Sequence, residues 1–188
     1  MSKELIPTNR GLEPELENFV YSKPIPVVKE DKEDDELVYK KVIESGKGYL
    51  IVDTNKGKLK FSNGTIAWRN NNPGNLKYGN FSKANGAIGT GVADLAVFPT
   101  LEIGEKAQIE LLFGENSIYK NLTLQETINK YAPKYDGNDP KEYANYVSRK
   151  AGIAKTMNIS KLNSSQRKAM VQAMRTIEGF EVGKVSKV

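Results

Sequence analysis

Eight consecutive residues, Arg69-Asn70-Asn71-Asn72-Pro73-Gly74-Asn75-Leu76, restrict this chain more than any other stretch. Four asparagines, a proline and a glycine crowd into that span, directly after the apolar Ile66-Ala67-Trp68. Pro73 lacks a backbone donor and drives Asn72 toward extended geometry, so no helix or regular strand runs through. Gly74 and the asparagines tolerate left-handed backbone. The amides offer donors and acceptors with little charge, beside the chain's single tryptophan. That chemistry suits neutral, hydroxyl- and amide-rich ligands such as sugars. Two readings stand: a tight turn held by its own asparagine side chains, or one wall of a saccharide site.

What the chain lacks narrows the chemistry further. It contains no cysteine and no histidine. Cysteine nucleophiles, disulfides, thiolate or imidazole zinc sites and Ser-His-Asp triads are therefore excluded. No metal and no cofactor is expected. An enzyme of this composition works with Asp, Glu, Lys, Tyr or Ser, and carboxylate-based glycoside cleavage is the large class that needs nothing else.

Its 188 residues suffice for one domain with a tail, or one domain and a very small second one. Charge divides the chain. Residues 1–45 carry 7 Lys+Arg against 11 Asp+Glu, and residues 46–188 the other 21 against 12, so a net −4 precedes a net +9. Pro7, Pro14, Pro24 and Pro26 and the run Glu30–Glu36 mark residues 1–45 as an acidic tail or docking segment, with a short helix expected around Leu37–Glu44. Residues 46–188 form the expected domain. Its basic balance suits a polyanion or simply a soluble surface. No interleaved basic-aromatic patch or reading helix points to nucleic acid. No apolar run approaches the roughly 20 residues of a membrane span, so stable membrane insertion is not expected. The start, Met1–Pro7, lacks a signal-peptide pattern, which implies synthesis in the cytoplasm.

Local patterns predict an α+β domain, mainly α. Tyr49–Val52 and Leu59–Phe61 flank a glycine-containing loop and read as a β-hairpin. From residue 100 onward the chain reads as helices. Thr100 caps one with Ile103, Ala107, Leu111 and Leu112 on a face, and Thr123 caps another with Ile128 and Tyr131 inward. Asp139-Pro140-Lys141-Glu142 opens a third, with Tyr143, Tyr146 and Val147 apolar. The last follows Asn163, buries Ala169, Met170, Ala173, Met174 and Ile177, and ends at Gly179.

Glu178 is the carboxylate that stands out. It closes the last helix, where the dipole is negative and Ile177 and Phe180 add desolvation. Both effects are expected to raise its pKa, as a glycosidase general acid requires. The alternative is an ordinary solvated glutamate.

At these residues the chain resembles bacterial glucosaminidases of the lysozyme-like superfamily. Asn71-Asn72-Pro73-Gly74-Asn75-Leu76 is similar to their asparagine segment. Leu95–Thr100 with Leu111-Leu112 resembles their strand and helix. Tyr131-Ala132-Pro133 and Asn138–Tyr143 resemble their tyrosine segment, and Ala173–Gly179 their catalytic helix. That helix lies at the opposite end of the order, as in a circular permutation. Without permutation, the chain resembles a group with Arg-Asn-Asn-Asn-Pro-Gly-Asn-Leu and a late Glu-Gly, found among phage virion proteins and cargo of contractile (type VI) secretion systems. The likeness spans roughly residues 65–183.

The resemblance implies a lysozyme-like helical domain with a small β-hairpin element. It also implies a peptidoglycan-cleaving enzyme: muramidase, lytic transglycosylase or glucosaminidase. Glu178 would be the acid, then the base. Tyr131 would assist near the reacting sugar, or be a core aromatic. Asn71, Asn72 and Asn75 would position substrate, and Phe98 would lie on the cleft strand. Trp68 and Tyr78 would stack on sugar faces, with a core role open for Trp68. Asp94 and Glu102 flank that strand as candidate second carboxylates, or are surface charges; a lytic transglycosylase needs none. The implied partners are peptidoglycan, delivery machinery of a secretion system or virion, and an immunity protein in a producer of an antibacterial effector. The site of action would be the periplasm or wall of a target bacterium. The rival reading is a non-enzymatic virion or secretion-apparatus protein with a degenerate domain of this kind.

Overall fold

The computed structural model describes residues 36–188. The proline-broken stretch expected over residues 1–35 lies outside the described residues. The fold is α+β and mainly helical, as expected.

Three strands open it: β1 (Tyr39–Gly46), β2 (Tyr49–Thr54) and β3 (Gly57–Ser62) form an antiparallel meander. The expected hairpin is β2–β3. Alternation places Leu50 and Val52 of β2 and Leu59 and Phe61 of β3 on the inner face, where they pack with Tyr39 and Val97. The short helix expected around Leu37–Glu44 does not form. Tyr39 and Val42 are three apart, a helical spacing, but register shifts between Tyr39 and Lys41 and between Val42 and Glu44 re-phase β1. Both side chains thereby reach the sheet core. Residues 39–45, grouped with the tail by charge, are thus part of the sheet. A further strand, β6 (Lys184–Lys187), pairs antiparallel with β3 and completes the order β1-β2-β3-β6.

Between β3 and β6 lie a one-turn helix α1 (Ile66–Arg69), α2 (Asn80–Ala84), and the two-residue strands β4 (Gly89–Thr90) and β5 (Ala96–Val97). Then come the four main helices: α3 (Leu101–Phe113), α4 (Leu124–Tyr131), α5 (Pro140–Ala151) and α6 (Ser164–Ile177). Their starts are where local chemistry puts them. Thr100 accepts from the Ile103 N–H. Thr123 with Glu126, and Asn163 with Gln166, close capping boxes. Asp139 caps α5 with Pro140 in its first turn. Leu112, Leu124, Ile128, Val147, Met170 and Met174 are fully buried where the helices meet. Among the described residues no helix is long and apolar enough to cross a membrane.

The buried stripe of α6 differs at three residues from the expected one. Met170, Val171, Ala173 and Met174 are buried, Ala169 is half-buried, and Ile177 is 37% exposed. The phase set by Val171 and Met174 continues to residue 178. Glu178 occupies the inward position that an apolar residue would have taken.

Candidate active site

The asparagine segment folds back on itself, and most of its polar groups face inward. Arg69 is buried and donates through Nη1 to the Asn63 and Gly64 carbonyls, both at 2.7 Å. Burial lowers the pKa of its guanidinium from the ordinary arginine value. Asn71 and Asn75 adopt left-handed backbone, at φ 51° and φ 48°. Asn72 is wholly buried. Its Nδ2 donates to the Leu76 and Ala96 carbonyls, and its Oδ1 accepts from the Leu76 N–H, all at 2.9 Å. These bonds tie the turn to β5.

Gly74 sits under a second clamp. The Tyr131 hydroxyl donates to its carbonyl, and Gln108 Nε2 donates to Tyr131 Oη at 3.3 Å. A Cβ on Gly74 would stand 2.8 Å from both Tyr131 Oη and Gln108 Cδ, so any larger residue would force this clamp to shift. A second close approach lies behind the turn: a Cβ on Gly104 of α3 would fall 1.9 Å from the Asn71 carbonyl oxygen.

Held this way, the turn presents Asn75 to the end of α6. Asn75 Nδ2 donates to Glu178 Oε2 at 2.9 Å, and Tyr143 Oη of α5 donates to Glu178 Oε1 at 2.9 Å. Both carboxylate oxygens thus accept from neutral donors, a feature the helix-end argument did not contain. The backbone of Glu178 still closes α6, its N–H donating to the Met174 carbonyl at 3.0 Å. Gly179 then turns left-handed at φ 71°. Beyond it, the Glu181 N–H donates to Thr65 Oγ1 at 3.1 Å and the Thr65 N–H donates to the Glu181 carbonyl at 3.0 Å. Arg175 of α6 lies 3.9 Å over the Phe180 ring while pairing with Glu105 at 2.6 Å. Glu178 is therefore fixed from both sides in sequence.

Glu178 opens onto a cleft of about 300 Å³, lined also by Gly74, Asn75, Leu76, Lys77, Leu111, Tyr119, Tyr131, Ala132 and Asn138. Among the described residues it is the one carboxylate in that lining. Burial, then the Glu178 charge, push the Tyr143 and Tyr131 hydroxyls far above the ordinary tyrosine value. Both phenols therefore remain hydrogen-bond donors at any physiological pH. Among the described residues no cluster of acidic side chains able to hold a metal ion is formed.

Of the residues singled out from sequence, the structure brings Glu178, Asn75 and Tyr131 together and separates the others. Asn72 is a scaffold residue, since its amide is fully engaged by backbone. Asn71 likewise turns its Nδ2 to the Phe98 and Pro99 carbonyls, at 3.2 and 3.3 Å. Phe98 is completely buried and cannot touch substrate. Trp68 packs edge-on against Phe61, with ring centroids 5.5 Å apart, in the sheet core. Tyr78 lies outside the cleft lining, its ring beneath the Lys83 ammonium at 4.9 Å. Tyr131 lines the cleft, but its hydroxyl is spent on Gly74, which makes it a positioning residue. Asp94 is exposed on a turn outside the lining. Glu102 points to solvent and pairs with Lys106 at 2.8 Å, and that hydrogen bond lowers its pKa.

Tyr143, Gln108, Lys77 and Asn138 belong to the site but were not singled out from sequence. Tyr143 reads as an apolar member of the α5 stripe, and Gln108 occupies a core position of α3; a polar residue at a buried phase is the one available signal. Comparison with known proteins returned no matching family model and no matching curated sequence.

Proposed function

We propose that this protein cleaves the glycan strand of peptidoglycan, with Glu178 as its single acid and base. The observation that carries the reading is the placement of Glu178. A glutamate at an inward helix phase is held by Asn75 and Tyr143 and opens onto a cleft otherwise lined by neutral side chains and one lysine. A half-buried carboxylate bonded on both oxygens at the mouth of a cleft is a candidate for chemical use. The resemblance of the asparagine segment and of Glu178-Gly179 to lysozyme-like glycosidases supplies the substrate class.

In the proposed reaction Glu178 protonates the leaving glycosidic oxygen as the anomeric bond breaks. Retaining and inverting hydrolases place a second carboxylate roughly 5–9.5 Å away. Among the described residues the cleft lining has no such group, which supports attack by a hydroxyl of the substrate itself. Glu178 then takes the proton of that hydroxyl, and an anhydro ring forms without consuming water. Attack by water in the same position would instead leave a reducing end. The same resemblance supports a role as an antibacterial secreted effector or phage lytic protein.

Digestion of purified peptidoglycan, with products identified by mass, tests the proposal. Anhydro-muramic ends are the expected products. Reducing ends would assign hydrolysis and identify the bond as that of a muramidase or a glucosaminidase. No products from folded protein would overturn the enzymatic reading and favour a structural role in a virion or secretion apparatus.

A further inference from the structure

Among the described residues one cation lines the cleft, Lys77, and the turn that holds it is costly to build. Residues 92–95 form a tight reversal in which the Leu95 N–H donates to the Val92 carbonyl at 3.3 Å. Its two central residues, Ala93 and Asp94, are both left-handed, at φ 60° and φ 57°. That pair of conformations favours Asn-Gly or Gly-Gly, because a Cβ there crowds the carbonyl that follows. Such strain persists where the surroundings enforce it, so the contacts it creates are informative. The Ala93 carbonyl accepts from Lys77 Nζ at 2.8 Å, and the Asp94 carbonyl accepts from the Tyr78 N–H at 2.7 Å. A backbone bridge between Lys77 and Leu95 fixes the main chain alongside. Both left-handed carbonyls are therefore spent on the residues that follow Asn75 and Leu76 along the rim.

An ammonium has three donors, and the Ala93 carbonyl uses one. Lys77 is exposed and shares the cleft with Asn75 and Glu178. Among the described residues no carboxylate pairs directly with Lys77, and the acid that shares its cleft, Glu178, is bonded to Asn75 and Tyr143 instead. A long side chain that is tethered, yet left with its charge unmatched, is poised for an anion arriving from solution. A cleft for an uncharged glycan needs no such group.

Building on the glycan-cleavage reading, we propose that Lys77 is a specificity residue that binds a carboxylate carried by the sugar strand. The cleft then prefers an acid-bearing glycan to a neutral one of similar backbone. In peptidoglycan that carboxylate belongs either to a peptide-free lactyl arm or to an attached peptide. The Ala93–Asp94 turn is the positioning element that sets the reach of the ammonium.

The test is calorimetric binding to the full-length Glu178→Gln protein, which leaves the strands uncut. Three soluble oligosaccharides of equal length are compared: neutral chitin, peptide-free peptidoglycan strands and peptide-bearing strands. At least one acid-bearing strand is expected to bind about 10-fold more tightly than chitin. The preference is expected to shrink as salt rises. It should vanish when Lys77→Gln is added and largely survive with Lys77→Arg. The better of the two acid-bearing strands identifies the lactyl arm or the peptide as the source. Equal binding of neutral and acid-bearing strands, a preference untouched by Lys77→Gln, or a parallel loss of chitin binding in that variant overturns the lysine proposal and leaves the saccharide cleft standing. No binding of any strand overturns the saccharide reading and this proposal with it.

Discussion

Asn72 and Asn75 stand three residues apart in one turn and do opposite work. Asn72 is sealed inside, its amide joining the turn to Leu76 and to β5 through three hydrogen bonds. Asn75 turns outward with left-handed backbone and donates to the Glu178 carboxylate. Residues 69–74 are scaffold, and residues 75–77 are the rim of the cleft. The first region resembles a small core built from polar groups, tolerable because most are paired, Asn70 Nδ2 being the exception. In the second, Asn75 is half-buried and Lys77 exposed, and both line the cleft.

The comparison breaks most easily at Asn72. Asn72→Ala leaves the Leu76 N–H without its partner and takes a donor from the Ala96 and Leu76 carbonyls, the latter keeping the Ala96 N–H, and is expected to cost about 2 kcal/mol or more. A shift in the urea midpoint measures this, and a cost below about 1 kcal/mol would contradict the scaffold assignment.

Tyr143→Phe should affect activity more than stability at neutral pH. It removes the donor to Glu178 Oε1 while keeping the buried ring, so glycan cleavage is expected to fall about tenfold with a melting change of a few degrees at most. Its pH signature is specific. The Tyr143 hydroxyl has its pKa raised in the fold, chiefly by burial. Its contribution to stability is complete below the ordinary tyrosine value of 10.0 and is lost as pH rises beyond it. Wild type should therefore lose stability above about pH 10 more steeply than Tyr143→Phe, by up to about 1.4 kcal/mol per pH unit. Parallel alkaline unfolding curves would show that the phenol is not buried as described.

Asn75→Ala carries the smallest expected effect. The side chain is half-buried and its amide has a single partner, so stability should move by less than about 1 kcal/mol and the cleavage rate by about fivefold. Destabilisation equal to that of Asn72→Ala would erase the distinction between scaffold and rim.

These residues also mark where sequence reasoning reaches and where it stops. Helix starts were legible because capping is local: Thr123 with Glu126, Asp139 with Pro140, and Asn163 with Gln166 each act within four residues. Glu178 was legible as the charged residue that ends an apolar-striped helix. Asn72 and Asn75 are chemically identical, and what separates them is supplied by Ala96 and Glu178, 24 and 103 residues away. Tyr143 looks like any core aromatic until the end of α6 is brought to its hydroxyl. In β1 the bulges, invisible in the sequence, turn a helix-like spacing into a strand. The strand Lys184–Lys187 is short and exposed, and only its pairing with β3 defines it.

The central claim is that Glu178 acts chemically and is not simply a well-bonded helix end. The most direct measurement is the single-turnover rate of glycan-strand cleavage by wild type and Glu178→Gln, with melting curves recorded on the same preparations. The account predicts a loss of at least about 100-fold in the glutamine variant, with melting shifted by no more than a few degrees. Cleavage by a folded Glu178→Gln protein at the wild-type rate would contradict it.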